Sequence, residues 1–135
     1  MAEASYALRK AIFARLDSDA GLTALIGAGR VHDEVPRGRT PPYLVIGEGT
    51  VRDWSTASDR GNEHLLALTA WSKEAGAREA LGIASAALAA LEGLAPAIDG
   101  HRLINLVALG IEVRREDNRS LVRATLRLRA VTEMA

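Results

Sequence analysis

The sequence predicts an α+β fold: a four-stranded, mainly antiparallel sheet built from two hairpins and packed by two main helices. Three observations lead there. Two segments carry apolar residues at helical spacing, two pairs of strand-like segments are each joined by a polar stretch, and an Ala-rich helix separates the pairs. At 135 residues and 48% hydrophobic content, the chain fits one domain, residues 1–135, around one core.

Leu8, Ile12 and Leu16 recur every fourth residue, with Arg9, Lys10 and Arg15 turned elsewhere, and predict a helix over Ala4 to Leu16. Ser18 or Asp19 caps a short helical turn through Leu22, Leu25 and Ile26, which Gly27 and Gly29 stop. Arg30 to Pro42 holds Pro36, Pro41, Pro42 and Gly38. These withhold backbone donors and exclude helix before each proline, so a long loop is expected there, and long loops are candidate contact surfaces.

Tyr43 to Trp54 reads as a strand with a bulge or close backbone approach at Gly47 and Gly49. A polar tip at Ser55 to Asn62 leads to a return strand over Glu63 to Trp71. Leu81, Ala84, Leu88 and Leu91 define the second main helix, Glu74 to Gly93, ended by Gly93 and Pro96. In the last third, a two-residue turn at Asp117-Asn118 pairs Val113 with Val122, Ile111 with Ala124, Leu109 with Leu126 and Val107 with Leu128. The opposite face then pairs Glu112 with Arg123, Gly110 with Thr125, Ala108 with Arg127 and Leu106 with Arg129.

Seventeen basic side chains balance 17 acidic ones, so net charge would not hold the chain on nucleic acid or an anionic membrane. The absence of cysteine excludes disulfides and thiolate metal sites and suits synthesis in a reducing cytoplasm. Met1 to Ser5 lacks the pattern of a signal peptide, and Ala77 to Leu94 carries Arg78, Glu79 and Glu92, which a membrane span would have to bury.

Catalytic signals are weak. His32, His64 and His101 show no metal-ligand spacing, and His32-Asp33-Glu34 is the only compact acid/imidazole cluster, more simply read as a solvated loop. Gly27-Ala28-Gly29 and Gly47-Glu48-Gly49 lack the remaining positions of a phosphate loop, and no serine sits in a nucleophile elbow. The expectation is no enzyme, no cofactor and no metal.

Two features point to contacts instead. Arg123, Arg127 and Arg129 project from one face of the last strand. In the expected register Arg123 meets Glu112, whereas Arg127 and Arg129 must find acceptors on another strand, in solvent or on another subunit. Trp54 and Trp71, at the ends of the first hairpin, are either core fillers or interface anchors.

Several stretches together resemble the tail completion, or tail terminator, family of siphophage-like tails and gene transfer agents. They are Leu8 to Leu16, Val31-His32-Asp33-Glu34-Val35-Pro36 with Pro42-Tyr43, Val51 to Thr56, Ala70-Trp71-Ser72, Gly100 to Leu103, and Leu128 to Glu133. The resemblance implies a structural virion protein, assembled in the bacterial cytoplasm, that caps the head-proximal end of the tail tube. It would do so as a homohexameric ring, stop tube polymerisation and help join the tail to the head connector. Its partners would be itself, the tail tube protein and the connector or adaptor protein, with genomic DNA passing without sequence-specific binding and no membrane involved. The expected interface residues are Arg127, Arg129, Trp54 and Trp71, with Arg37 and Arg39 in the Pro-rich loop and Asp59 and Arg60 at the hairpin tip. The alternatives are a head-completion adaptor ring, or a small ligand-binding or hydrolytic domain centred on His32, Asp33 and His101.

Overall fold

A computed structural model of the chain describes residues 1–116 and 120–135. Among the described residues three helices, α1 (Ala2–Asp17), α2 (Ala20–Ile26) and α3 (Arg78–Leu91), accompany six strands. The strands are β1 (Val31–His32), β2 (Tyr43–Asp53), β3 (Gly61–Ser72), β4 (Ala97–Ile98), β5 (His101–Glu116) and β6 (Leu121–Met134).

α1 follows its expected stripe, whereas α3 is turned from it: of the expected Leu81, Ala84, Leu88 and Leu91, Leu81 is 38% exposed and Leu88 only half-buried. α1 buries Ala4, Ala7, Leu8, Ile12 and Leu16, and α2 opens on Asp19, whose carboxylate accepts the Leu22 amide at 2.9 Å. α3 presents Ala80, Ile83, Ala84, Ala87, Ala90 and Leu91 to the core, and its small side chains let the helix lie close to the sheet. Arg15 ties the two long helices together by donating from Nε to the Ala90 carbonyl at 2.7 Å, near the negative end of α3. The approach is tight enough that a Cβ on Gly93 would meet the Arg15 guanidinium at 2.6 Å.

One mixed sheet runs in the order β1-β2-β3-β6-β5-β4, with β1 parallel to β2 and every other neighbour antiparallel. α1 packs against β1 and β2 at one edge and against β4 at the other, so the sheet curls partly around it. The core lies between the helices and one sheet face, where Leu44, Ile46, Leu66, Leu68, Ala70, Val122, Ala124, Leu126, Leu128 and Ala130 are buried. Among the described residues no helix covers the other face.

The expected four-stranded sheet of two hairpins with two main helices is therefore incorrect: the sheet has six strands, is mixed, and packs against three helices. The extra strands, Val31–His32 and Ala97–Ile98, are two residues each and fall where proline and glycine signalled loops. A pair that short has no period to detect, and only a neighbouring edge gives it a ladder. The expected Pro-rich loop is correspondingly shorter.

The final hairpin does not keep its expected partners and, beyond a bulge, does not keep its expected faces. Val113 lies across from Ala124 and Ile111 across from Leu126, two residues displaced from the expected register, and an even displacement leaves the same side chains on the same face. Glu116 pairs with Leu121, while the expected turn pair Asp117-Asn118 lies outside the described residues. Bulges then add Ile104 and Leu109 to β5, so Val107 opposes Arg129 rather than Leu128, and Leu106 opposes Ala130 rather than Arg129. Gly110 opposes Arg127, and Glu112 opposes Thr125 instead of Arg123.

Candidate assembly interface

Four of the eight expected contact residues, Arg127, Arg129, Trp54 and Trp71, lie on the helix-free face of the sheet. Period-two alternation puts Arg52 of β2, Glu63 and Leu65 of β3, Arg127 and Arg129 of β6, and Val107 and Glu112 of β5 on this side. Its central cluster is built on Glu63, a buried carboxylate that accepts from Arg52 Nε at 2.5 Å and from Arg129 Nε at 2.7 Å. These charge-assisted bonds hold the Glu63 pKa below the usual carboxylate range. Trp54 lies over the cluster, with the Arg52 guanidinium 4.7 Å and that of Arg129 5.6 Å from its ring centroids. Arg129 thus finds its partner within the chain.

Trp54 is still 46% exposed, so the cluster has an apolar lid that faces water. Trp71 is half-buried beside Arg123, whose guanidinium stands 5.9 Å from the ring while Nε donates to Glu116 at 2.8 Å. Arg114 takes Glu112, at 3.1 Å, and Arg102 takes Glu133, at 2.5 Å. Arg127 is exposed beside a shallow groove of about 380 Å³ lined also by Glu48, Thr50, Leu65, Ala67 and Leu109.

The loop residues sit apart from this face. Arg37 is exposed, and Arg39 reaches the Gly29 carbonyl at 3.5 Å. Asp59 and Arg60 line a broad cleft of about 980 Å³ between the β2–β3 tip, the start of α1 and the β4–β5 turn, with Glu3, Asp53 and His101.

His32, Asp33 and His101 do not come together. His32 lies on β1 and His101 opens β5, with β2, β3 and β6 between them, and Asp33 is engaged by Arg9 at 2.7 Å. Burial, with Arg39 and Arg30 nearby, pushes the His32 pKa down, and the ring packs edge-on against Tyr43 at 5.9 Å. His64 is buried with Nε2 2.9 Å from the Thr132 hydroxyl, and burial lowers its pKa as well. Among the described residues no group of acidic and imidazole side chains could hold a metal ion, and no helix is long and apolar enough to cross a membrane.

Nothing in the sequence signals that β5 exposes Ile104, Val107, Leu109, Ile111 and Val113; Val107 and Leu109 adjoin Leu65, while Ile111 and Val113 share the face of Leu126 and Ala124. Alternation alone marks such a strand as half-buried. That β5 lies near a sheet edge, beyond the reach of α3, depends on a strand order that no local pattern encodes. The roles of Glu63 and Arg52 were hidden for the same reason, because they join Arg129 only when β3 lies between β2 and β6.

The family model described as tail completion protein gp17 matches residues 10–133. No curated protein matches the chain. Among solved structures, a chain of the virion of a native gene transfer agent particle superposes with a TM-score of 0.79 at 30% identity, over 96% of each chain. This chain belongs to the tail completion protein gp17 family and is a structural protein of a virion tail.

Proposed function

We propose that the protein caps the head-proximal end of a finished tail tube as a ring, stops the tube from growing, and offers the head connector a surface to join. The observation that carries this reading is the end-to-end likeness to a chain of a gene transfer agent particle, 96% of both chains, within a tail completion family. A molecule shaped this way has a free sheet edge and a helix-free face, and both are means of joining copies rather than of turning over a substrate.

The ring is a homohexamer with the tail tube protein on one side and the connector on the other, and DNA passes through it without base-specific contact. Paired arginines on the helix-free face agree with that last point: Arg52, Arg102, Arg114, Arg123 and Arg129 each meet a carboxylate. Such pairing leaves less positive potential to trap phosphate.

Negative-stain microscopy of the purified protein, alone and with tail tubes, tests the reading. Rings with a central hole, seated on one tube end and halting elongation, are expected. Dispersed monomers that leave tube length unchanged overturn it.

A further inference from the structure

The two edges of the sheet are not equivalent in how they are protected. β1 covers β2 only at Leu44 and Val45, and the next two β2 carbonyls, of Ile46 and Gly47, are taken by the Arg9 guanidinium at 3.0 and 2.8 Å. Beyond the bulge, Gly49 to Asp53 pairs with β3 alone and is largely exposed on its outer side. At the other edge β4 pairs with β5 at His101 and Arg102, and the Leu103 amide donates to the Pro96 carbonyl at 2.7 Å. From Leu103 to Ile111 the chain then runs Leu-Ile-Asn-Leu-Val-Ala-Leu-Gly-Ile, with neither charge nor proline. Natural sheets blunt their edges with charges, prolines or a covering element. Two bulges bend this one, yet its apolar side chains stay in water, Leu109 at 57% exposure.

Resting on the ring reading above, we propose that the free edge of β5 pairs with the free edge of β2, Gly49 to Asp53, in the next copy of the chain, as an antiparallel ladder. The topology supports a second copy as the occupant. β2, β3, β6 and β5 alternate in direction, so β5 and β2 run oppositely within one molecule. Rotation about an axis along the strands leaves direction unchanged, and β5 therefore meets the next copy's β2 in antiparallel sense without reversal of any element. The pairing Thr50–Leu65–Arg129–Val107 sets Thr50 and Val107 at one height across the sheet, so the junction needs no axial step. Because the two edges differ, each copy uses both, and such head-to-tail contacts close into a ring when the rotation allows.

The chain has no cysteine, so introduced pairs can be read without background. Thr50→Cys is combined with Val107→Cys, and separately with Asn105→Cys to admit a stagger along the same face. Mild oxidation should give a covalent ladder that ends at the ring's copy number, and only when both cysteines are present. Rings in the microscope with no ladder from either pair overturn the junction and leave the ring standing. Neither rings nor ladder overturns both. Dimers from Val107→Cys alone show β5 pairing with itself about a two-fold axis, and that also overturns the junction. Independently, Leu109→Lys should weaken self-association at least about tenfold with an unchanged Tm; assembly equal to the parent's counts against the edge.

Discussion

β5 and β6 are neighbours of nearly equal length and similar apolar content, yet they live in different environments. β6 buries Val122, Ala124, Leu126, Leu128, Ala130 and Thr132 beneath the helices, whereas no residue of β5 is buried. The difference comes from position in the sheet. β6 sits between β3 and β5 and takes the helix layer on one face, while β5 has β6 on one side and open water along most of the other. Apolar residues on β6 hold the monomer together; on β5, Leu103 and Leu106 pack against the rim of the core, while Ile104, Val107, Leu109, Ile111 and Val113 are exposed.

Truncating one side chain on each strand breaks this contrast most directly. Leu126→Ala removes a fully buried side chain and should cost about 2–5 kcal/mol of folding stability, read from urea unfolding. Ile111→Ala, across the ladder from it, should change stability by no more than about 0.5 kcal/mol while reducing self-association in sedimentation. Equal losses from both would mean that β5 belongs to the core after all. Glycines on the two outer strands extend the comparison. A Cβ at Gly49 would lie 2.5 Å from the Leu65 carbonyl oxygen, so Gly49→Ala should cost about 1–3 kcal/mol. A Cβ at Gly110 meets nothing within 4 Å, and Gly110→Ala should stay within about 0.5 kcal/mol.

How much of this was legible beforehand follows the same divide. The apolar stripe of α1 and the alternation of β6 are local periodicities that mark the residues that are buried, whereas in α3 the leucine spacing misses the Ala-rich face that packs: Leu81 is exposed, and Ala80, Ile83, Ala87 and Ala90 are buried. The family resemblance was legible too, because short motifs in order survive without knowledge of the fold. Strand order was not: β6 comes last in the chain and inserts between β3 and β5, a non-local choice made by side-chain packing over the whole sheet. The register of the last hairpin failed for a different reason. A count from a two-residue turn pairs Glu116 with Arg119, whereas Glu116 pairs with Leu121, and the bulges at Ile104 and Leu109 each add a further residue that apolar alternation absorbs without a sign.

That failure changes what the arginines are expected to do. The sequence groups Arg127 and Arg129 as two guanidinium groups seeking acceptors, but Arg129 bonds the buried Glu63 and Arg127 is exposed opposite Gly110. Arg129→Glu sets a second carboxylate beside Glu63 and should lower the monomer's Tm by several degrees in a thermal melt. Arg127→Glu should leave the Tm within error and act, if the groove beside Leu109 is a contact, only on assembly. Matching melts for the two variants would show that the Glu63 cluster contributes nothing to the monomer.

The smallest expected effect concerns the closed end of the helix-covered face, where His64 is buried against Thr132. Burial favours the neutral imidazole, with His101 and the N-terminal amine adding repulsion, so the folded pKa lies below the ordinary 6.5. In the unfolded chain the ring takes up its proton as pH falls through about 6.5, while the folded protein does not. Protons then favour unfolding: the contribution is whole above that pH and is lost progressively down to the folded pKa. His32 shifts in the same direction, so replacing His64 should remove only part of the loss. Glu63, Asp99 and Glu112, whose pKa values are lowered from the carboxylate range by their cationic partners, act at more acidic pH and stay out of this window. Urea midpoints at pH 7.5 and 5.5 should therefore separate less in His64→Gln, which can still hydrogen-bond Thr132, than in the parent. An unchanged separation would mean that His64 accepts its proton without leaving the core, and that the wall under α1 is wetter than its packing implies.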